Sequence, residues 1–257
     1  MRYLSAAHTD VGIVKRTNQD SFCIEVAKTK MGHVAMAVLC DGMGGLQKGE
    51  VASANVVLRF SKWFETELPK LSESPIDFQD VIVQWNRIIN ERNETILSYG
   101  TRNKLSLGTT LTTVLMINDR FLTAQVGDSR AYRLNSSGIL QITKDQSLVA
   151  KEVEEGKLTP EQARHDSRRN VLLQCIGATK KVVPAFTTGE IKCNDVFLIC
   201  SDGFVHEVSD QEVQGVLAGE LLTNETIMKK SLVDLIELNK ERKERDNITA
   251  LLLKAVR

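Results

Sequence analysis

Apolar positions along this chain fall into short blocks whose spacing switches between a period of two and a helical period. Phe22, Ile24 and Val26 alternate with Ser21, Cys23 and Glu25, which predicts a strand with one buried face. His33 to Cys40 is an unbroken apolar run and predicts a strand buried on both faces. Thr109 to Ile117 is rich in Thr, Val and Leu, and Asn118-Asp119 predicts a turn into a strand from Phe121 to Val126. Gly127-Asp128 then precedes Arg130 to Leu134, and Ser137-Gly138 leads into Ile139 to Ile142. Short strands joined by tight turns in this way predict an antiparallel meander. Val196 to Cys200 and Ile248 to Leu253 are two further strands.

Helical spacing occupies the intervals. Val51 to Leu68 and Ile76 to Ser98 carry apolar residues at helical spacing, with Pro69 and Gly100 as the expected ends. Ser209-Asp210-Gln211-Glu212 is a capping-box signature and opens a helix to Leu217. Thr223 to Asn239 places Ile227, Leu232, Leu235 and Ile236 on one stripe. Residues 145–177 are mixed and charged, and predict a helical excursion, or flap. Strands clump together with helices before and after them, an α+β pattern rather than alternating βαβ units. Without a repeat or a Pro/Gly/Ser-rich linker, one domain over 1–257 is expected.

Composition narrows the partners. Lys+Arg and Asp+Glu both number 33, so the formal net charge is zero. A nucleic-acid binder would show a basic excess, and a membrane-surface binder a polybasic cluster. Neither partner is expected, nor is a membrane span, which would need roughly 20 apolar residues in a row. The first residues meet polar positions too early for a signal-peptide core. Five cysteines, an odd number with no CxxC, predict reduced thiols in a cytoplasmic protein rather than a disulfide framework. The four histidines show no ligand spacing. His33 is expected at a strand edge, and His206 follows Ser201-Asp202-Gly203 closely enough to support that segment from behind. Met31, Met36 and Met116 read as core filling, and the alternating charges of Lys240 to Arg245 as a solvated helix end.

The informative pattern is where aspartates fall. Val38-Leu39-Cys40 runs into Asp41-Gly42-Met43-Gly44-Gly45, and Leu198-Ile199-Cys200 into Ser201-Asp202-Gly203. Asn18-Gln19-Asp20 opens one strand and Asp246-Asn247 another. A single Asp-Gly after a strand is usually a turn, and Gly127-Asp128 reads as a hairpin turn. Several aspartates at the ends of separate strands are harder to assign to turns. Clustered carboxylates repel one another, and oxygen-only donors suit a hard cation such as Mg²⁺ or Mn²⁺. Two such ions generate a hydroxide nucleophile and clamp a phosphate. Gly42, Gly44 and Gly45 let backbone approach an ion or phosphate closely.

The chain resembles the metal-dependent serine/threonine protein phosphatases, the type-2C or PPM family, in their compact bacterial form. The segments that carry the resemblance run through nearly the whole chain. They are Thr9-Asp10-Val11-Gly12, Asn18-Gln19-Asp20, Asp41 to Gly45, Gly108-Thr109-Thr110, Gly127-Asp128-Ser129-Arg130, Asp145-Gln146-Ser147, Ser201-Asp202-Gly203 and Asp246-Asn247.

The resemblance implies a four-layer α-β-β-α sandwich, with two central antiparallel sheets and helical pairs on both faces. It implies a binuclear centre held by Asp20 and Asp41, with Asp41 bridging, by the carbonyl of Gly42, and by Asp202 and Asp246. Asp128, with Asp202, would take a weaker third ion. The implied reaction is direct attack of hydroxide bound at the Mg/Mn centre on phosphoserine or phosphothreonine, without a phosphoenzyme. The flap at about 145–177 would tune substrate choice, and the substrates would be phosphorylated proteins made by a serine/threonine kinase. A monomer is expected.

Lys15 stands where the family carries its phosphate-binding Arg, with Arg16 beside it. Lys gives a point charge where Arg gives a planar fork, so weaker phosphate binding is expected, through Lys15 or through Arg16. Met43 stands where animal relatives carry a His, which leaves proton donation to the leaving group with a metal-bound water. Two alternatives remain at this point. One is a pseudophosphatase binding module with the same fold, and the other a two-metal phosphoesterase acting on a small phosphorylated metabolite.

Overall fold

The computed structural model describes residues 1–30, 32–43, 48–72 and 75–257. Met31, Gly44 and Gly45, to which the sequence assigned roles, lie outside the described residues. The chain runs β1 (Arg2–Asp10), β2 (Ser21–Thr29), β3 (Gly32–Cys40), β4 (Gly42–Met43), α1 (Gly49–Thr66), α2 (Leu68–Leu71) and α3 (Phe78–Asn103). It continues through β5 (Gly108–Thr109), β6 (Leu111–Ile117), β7 (Arg120–Val126), β8 (Arg130–Asn135), β9 (Gly138–Gln141), α4 (Leu148–Glu154) and α5 (Pro160–His165). The last elements are β10 (Ala185–Glu190), β11 (Val196–Cys200), α6 (Asp202–Val205), α7 (Asp210–Leu217), α8 (Glu225–Glu241) and β12 (Ile248–Val256).

Two five-stranded antiparallel sheets stack face to face, in the orders β1-β12-β11-β8-β9 and β10-β7-β6-β3-β2. Helices α1 and α3 cover the outer face of the second sheet, and α7 and α8 that of the first. This is the expected α-β-β-α layering, and it explains the unbroken apolar runs. On β3, Val34, Met36 and Val38 face Phe60, Trp63 and Trp85 of the helices, while Ala35, Ala37 and Leu39 face the other sheet. On β12, Ala250 and Leu252 meet Leu232 and Ile236 of α8, while Leu251 and Leu253 point between the sheets. Strands sandwiched on both sides lose the polar alternation that marks a half-exposed strand. Met36 and Met116 are fully buried, as expected of core filling.

Aromatic contacts pin the layers. Trp85 meets Phe60 and Trp63 edge-on, with ring centroids 5.5 and 5.4 Å apart, which locks α3 to α1. Phe121 and Phe197 meet edge-on at 5.0 Å across the two sheets. Burying one such ring contributes about 1.5–3 kcal/mol.

Several expectations are corrected. The meander is split: β6 and β7 pair in one sheet, β8 and β9 in the other, and Gly127-Asp128-Ser129 carries the chain across. Gly127 makes that crossing at φ +101°, and a Cβ there would meet Cγ2 of Thr110 at 2.6 Å. The strand expected from Thr109 to Ile117 breaks at Thr110, whose amide donates to the carbonyl of Asp41 at 2.9 Å. Helix α3 overruns Gly100 and ends at Lys104, which takes the left-handed conformation at φ 55°. Pro69 does not end a helix but sits in the first turn of α2, where its missing N–H costs nothing.

Phe197→Ala removes the ring that pins sheet to sheet, and its expected cost is about 3–5 kcal/mol of unfolding free energy. Urea unfolding followed by tryptophan fluorescence measures it. A loss within about 1 kcal/mol would mean that the two sheets are held without this contact.

Candidate metal centre

The sandwich has one acidic end. The β2–β3 ladder starts at Ser21↔Cys40, so Asp20 and Asp41 extend it side by side. The β11–β12 ladder ends at Cys200↔Ala250, so Asp202 and Asp246 lie just beyond it in the other sheet. Asp128 occupies the crossing between β7 and β8. Asp41 feels Asp20, Asp202, Asp128 and Asp246 electrostatically, and Asp20 feels Asp202 and Asp246. Five acids from both sheets thus share one neighbourhood.

Burial and mutual repulsion shape their protonation. Burial is the largest cause for Asp20, whose carboxyl is pushed up to about 7, with Asp202 adding to it and a Thr249 hydrogen bond opposing. Burial and Asp202 push Asp128 up to about 8. Asp41 is raised well above the usual range by burial and then by Asp20. Asp202 is raised by burial, with His206 opposing.

The donors around these acids are specific. Thr249 Oγ1 donates to Asp20 Oδ2 at 2.6 Å, and Asn18 Nδ2 donates to Thr9 Oγ1 at 2.7 Å. The Thr9 and Thr249 hydroxyls are 2.6 Å apart. With Thr249 donating onward to a carboxylate, Thr9 must donate to Thr249, so the relay runs one way, toward Asp20. Asn247 clamps the loop before Asp20: its Oδ1 accepts from the Gln19 amide at 2.9 Å, and its Nδ2 donates to the carbonyls of Val11 and Thr17. Gly12 lies under the same loop at φ +76°, where a Cβ would meet the carbonyl of Asp246 at 2.2 Å.

Lys15 Nζ lies 2.8 Å from Asp246 Oδ1. Partial burial works to lower its pKa, but Asp246, Asp41 and Asp202 outweigh that and hold it above the usual lysine range. Arg16 is exposed and makes no ion pair or side-chain hydrogen bond among the described residues. The backbone of Gly42 is held by Gln19, whose carbonyl accepts its amide at 3.1 Å.

One residue here was missed. Glu244, within the run expected to be a solvated helix end, is only 3% exposed. Its Oε1 accepts from the amides of Arg245 and Asp246 at 2.7 and 2.8 Å, and its Oε2 meets His206 Nδ1 at 3.1 Å. His206 Nε2 in turn lies 3.5 Å from Asp202 Oδ2. His206 therefore links Asp202 to the Asp246 segment through Glu244. The only sequence signal was the position of Glu244 two residues before Asp246-Asn247.

The donor set suits a hard divalent cation. All the acids offer oxygen, and Asp20 Oδ1 and Asp202 Oδ1 are buried with no hydrogen-bond partner. A buried carboxylate oxygen left unpaired is costly unless a cation meets it. Among the described residues no three His, Cys, Asp or Glu side chains converge on one point.

The protein phosphatase 2C family model matches residues 7–252. This chain belongs to the protein phosphatase 2C family. It is 32% identical to the serine/threonine phosphatase stp of Listeria innocua, over 95% of this chain and 93% of that one. It is 31% identical to the serine/threonine protein phosphatase PstP of Mycobacterium tuberculosis, over 83% of this chain and 38% of that longer protein. The fold matches the crystal structure of the serine/threonine phosphatase Stp1 from Staphylococcus aureus, with a TM-score of 0.83, 30% identity, and coverage of 97% of this chain and 94% of that one. It also matches the catalytic domain of PstP in complex with two manganese ions, with a TM-score of 0.79, 29% identity and 99% coverage of both chains.

An acid whose pKa is raised by folding binds its proton more tightly folded than unfolded. The metal-free chain should therefore lose stability as pH rises from the ordinary 3.8 toward about 8. Protons and cations compete for the same oxygens, so saturating Mn²⁺ should raise Tm more at pH 8 than at pH 5. Thermal unfolding with Mn²⁺ and with chelator tests this, and equal shifts at the two pH values would contradict it.

Proposed function

We propose that this chain, a member of a phosphatase family, removes phosphate from phosphoserine and phosphothreonine in proteins at a binuclear Mn²⁺ or Mg²⁺ centre. The observation that carries the reading is the acidic end of the sandwich, where buried carboxylate oxygens of Asp20 and Asp202 have no protein partner. The names of the Listeria and Mycobacterium relatives support the phosphoprotein substrate, and the manganese-bound PstP domain supports the two ions.

In this reading Asp20, Asp41 and the Gly42 carbonyl would hold one ion, Asp202 and Asp246, with Asp41, the other, and Asp128 with Asp202 a weaker third. When bound, such ions activate water for attack on phosphorus and neutralise the phosphate charge. The chain's own groups do the rest. The Asn18–Thr9–Thr249 relay fixes the Asp20 carboxylate by its Oδ2 and leaves Oδ1 free. His206 and Glu244 orient Asp202 and the Asp246 backbone, as partners behind metal ligands do. Lys15, within reach of Asp246, brings positive charge to the place where a phosphate oxygen would sit. The five free cysteines fit a reducing, cytoplasmic setting. The substrates would be proteins phosphorylated by a serine/threonine kinase.

Phosphate release from a phosphothreonine peptide, with Mn²⁺ and with chelator, tests the reading. Activity should require the metal, and Asp202→Ala should lower kcat by at least ~100-fold. Metal-independent turnover or an unaffected mutant would sink the two-metal assignment. A wild type that binds the peptide without hydrolysing it would make the chain a pseudophosphatase. Lys15→Ala should raise KM about ten-fold with little change in kcat. An unchanged KM would remove Lys15 from phosphate binding.

A further inference from the structure

A cavity of about 820 Å³ opens at Asp128 and Asp202. It runs between the flap helices α4 and α5 on one wall and α6 with the start of α7 on the other. Its volume suits several amino-acid side chains rather than one. The cavity is continuous with the acidic end, because Asp128 and Asp202 line it.

Its walls combine an apolar surface with unbalanced charge. Val149, Val153, Ala163, Val205 and Val208 supply the apolar part. Two of the lining cations are already neutralised: Arg130 by Asp145 at 2.7 Å and Lys144 by Glu154 at 2.6 Å. Arg164 and Arg169 also line the cavity, and neither makes an ion pair among the described residues. Arg164 Nη2 donates to the carbonyl of His206 at 2.7 Å, which fixes the side chain across the gap between α5 and α6. Arg169 Nη1 donates to the carbonyl of Arg164 at 3.4 Å. A guanidinium that spends one N–H on a carbonyl keeps its charge and its remaining donors for a ligand.

The acids that line the cavity do not cancel these two charges. Asp145 is paired with Arg130, and Asp128 and Asp202 belong to the proposed metal-binding set. Asp210 sits in the first turn of α7, where the helix N-terminus offsets part of its charge.

The geometry points to a substrate preference. This cavity receives the polypeptide flanking the phosphorylated residue, and Arg164, with Arg169, selects acidic side chains there. Charge complementarity to Arg164 and Arg169 favours an acidic occupant, and continuity with Asp128 and Asp202 puts it beside the phosphate. The inference rests on the phosphatase reading.

The test uses the full chain with Mn²⁺ and two phosphothreonine peptides that differ only in carrying Glu or Lys at the flanking positions. The expected kcat/KM ratio, Glu over Lys, is about five and is carried by KM. Arg164→Ala should bring the ratio close to one, and Arg164→Lys should restore most of it. The ratio is taken within one protein, so partial misfolding lowers both rates and leaves it unmoved. Equal KM values in the wild type, or an Arg164→Ala protein that keeps the preference, would overturn the inference and leave the phosphatase reading standing. Failure to hydrolyse either peptide would overturn both.

Discussion

Five aspartates crowded at one end of two stacked sheets are the constraint on which the rest of this molecule depends. Asp20, Asp41, Asp128 and Asp202 are costly to ionise where they lie, through burial first and through the neighbouring acids after it. Among the described residues Lys15 is the one lysine or arginine that forms an ion pair with the group, and that pair is with Asp246. A protein cation at the centre would neutralise the acids permanently and leave nothing for a phosphate. The chain instead surrounds them with hydroxyl and amide donors, which orient a carboxylate without cancelling its charge. Thr249 donates to Asp20 and the Asn247 amide to Asp246 in this way, while Glu244 and Thr110 accept from the Asp246 and Asp41 amides and so fix the backbone that carries those acids.

Such an arrangement demands a rigid frame, because repelling charges drive apart any backbone that can yield. The sandwich meets that demand by pairing strands on both sides of the acids and packing large side chains on both faces of each sheet. The loop that carries Lys15 and leads to Asp20 has no regular structure of its own. It is held by the Asn247 side chain at both ends and by close backbone contact at Gly12. Asn247 thus links the start of β12 to the start of β2, one from each sheet.

What the sequence revealed follows from which positions are doubly buried. The runs at β3 and β12 announce themselves because both faces are apolar, and the acids at their ends are then easy to place. Strands β1 and β10 went unread. Ser5, Ala6 and Ala7 in β1 and Thr187, Thr188 and Gly189 in β10 are too small or polar to signal a strand. Each forms because a longer-range partner offers an open ladder, β12 over nine residues and β7 over six. Glu244 was misread for a related reason. A charge in a charged run looks solvated unless one knows that His206, 38 residues earlier, is folded against it. Local patterning predicts elements, and it is blind to side chains whose partner arrives from a distant turn.

The flap is attached to the same frame at both its ends, the far one through Ile176 to Thr109 and through Gly177 to Asn93. Asp145 takes the Arg130 guanidinium by both carboxylate oxygens, and Gln146 exchanges hydrogen bonds with Gly127 on either side of the crossing. Beyond these, α4 and α5 contribute one wall of the cavity and rest on α6 through Arg164. A change on α5 therefore alters what the cavity admits without passing through a strand that carries an acid. The net charge of zero conceals this division: four of the five sheet-end aspartates have no lysine or arginine partner among the described residues, and on the flap Arg164 and Arg169 have no acid partner among them. The proposed ions would cancel the first imbalance. The second is left for whatever polypeptide carries the phosphate in.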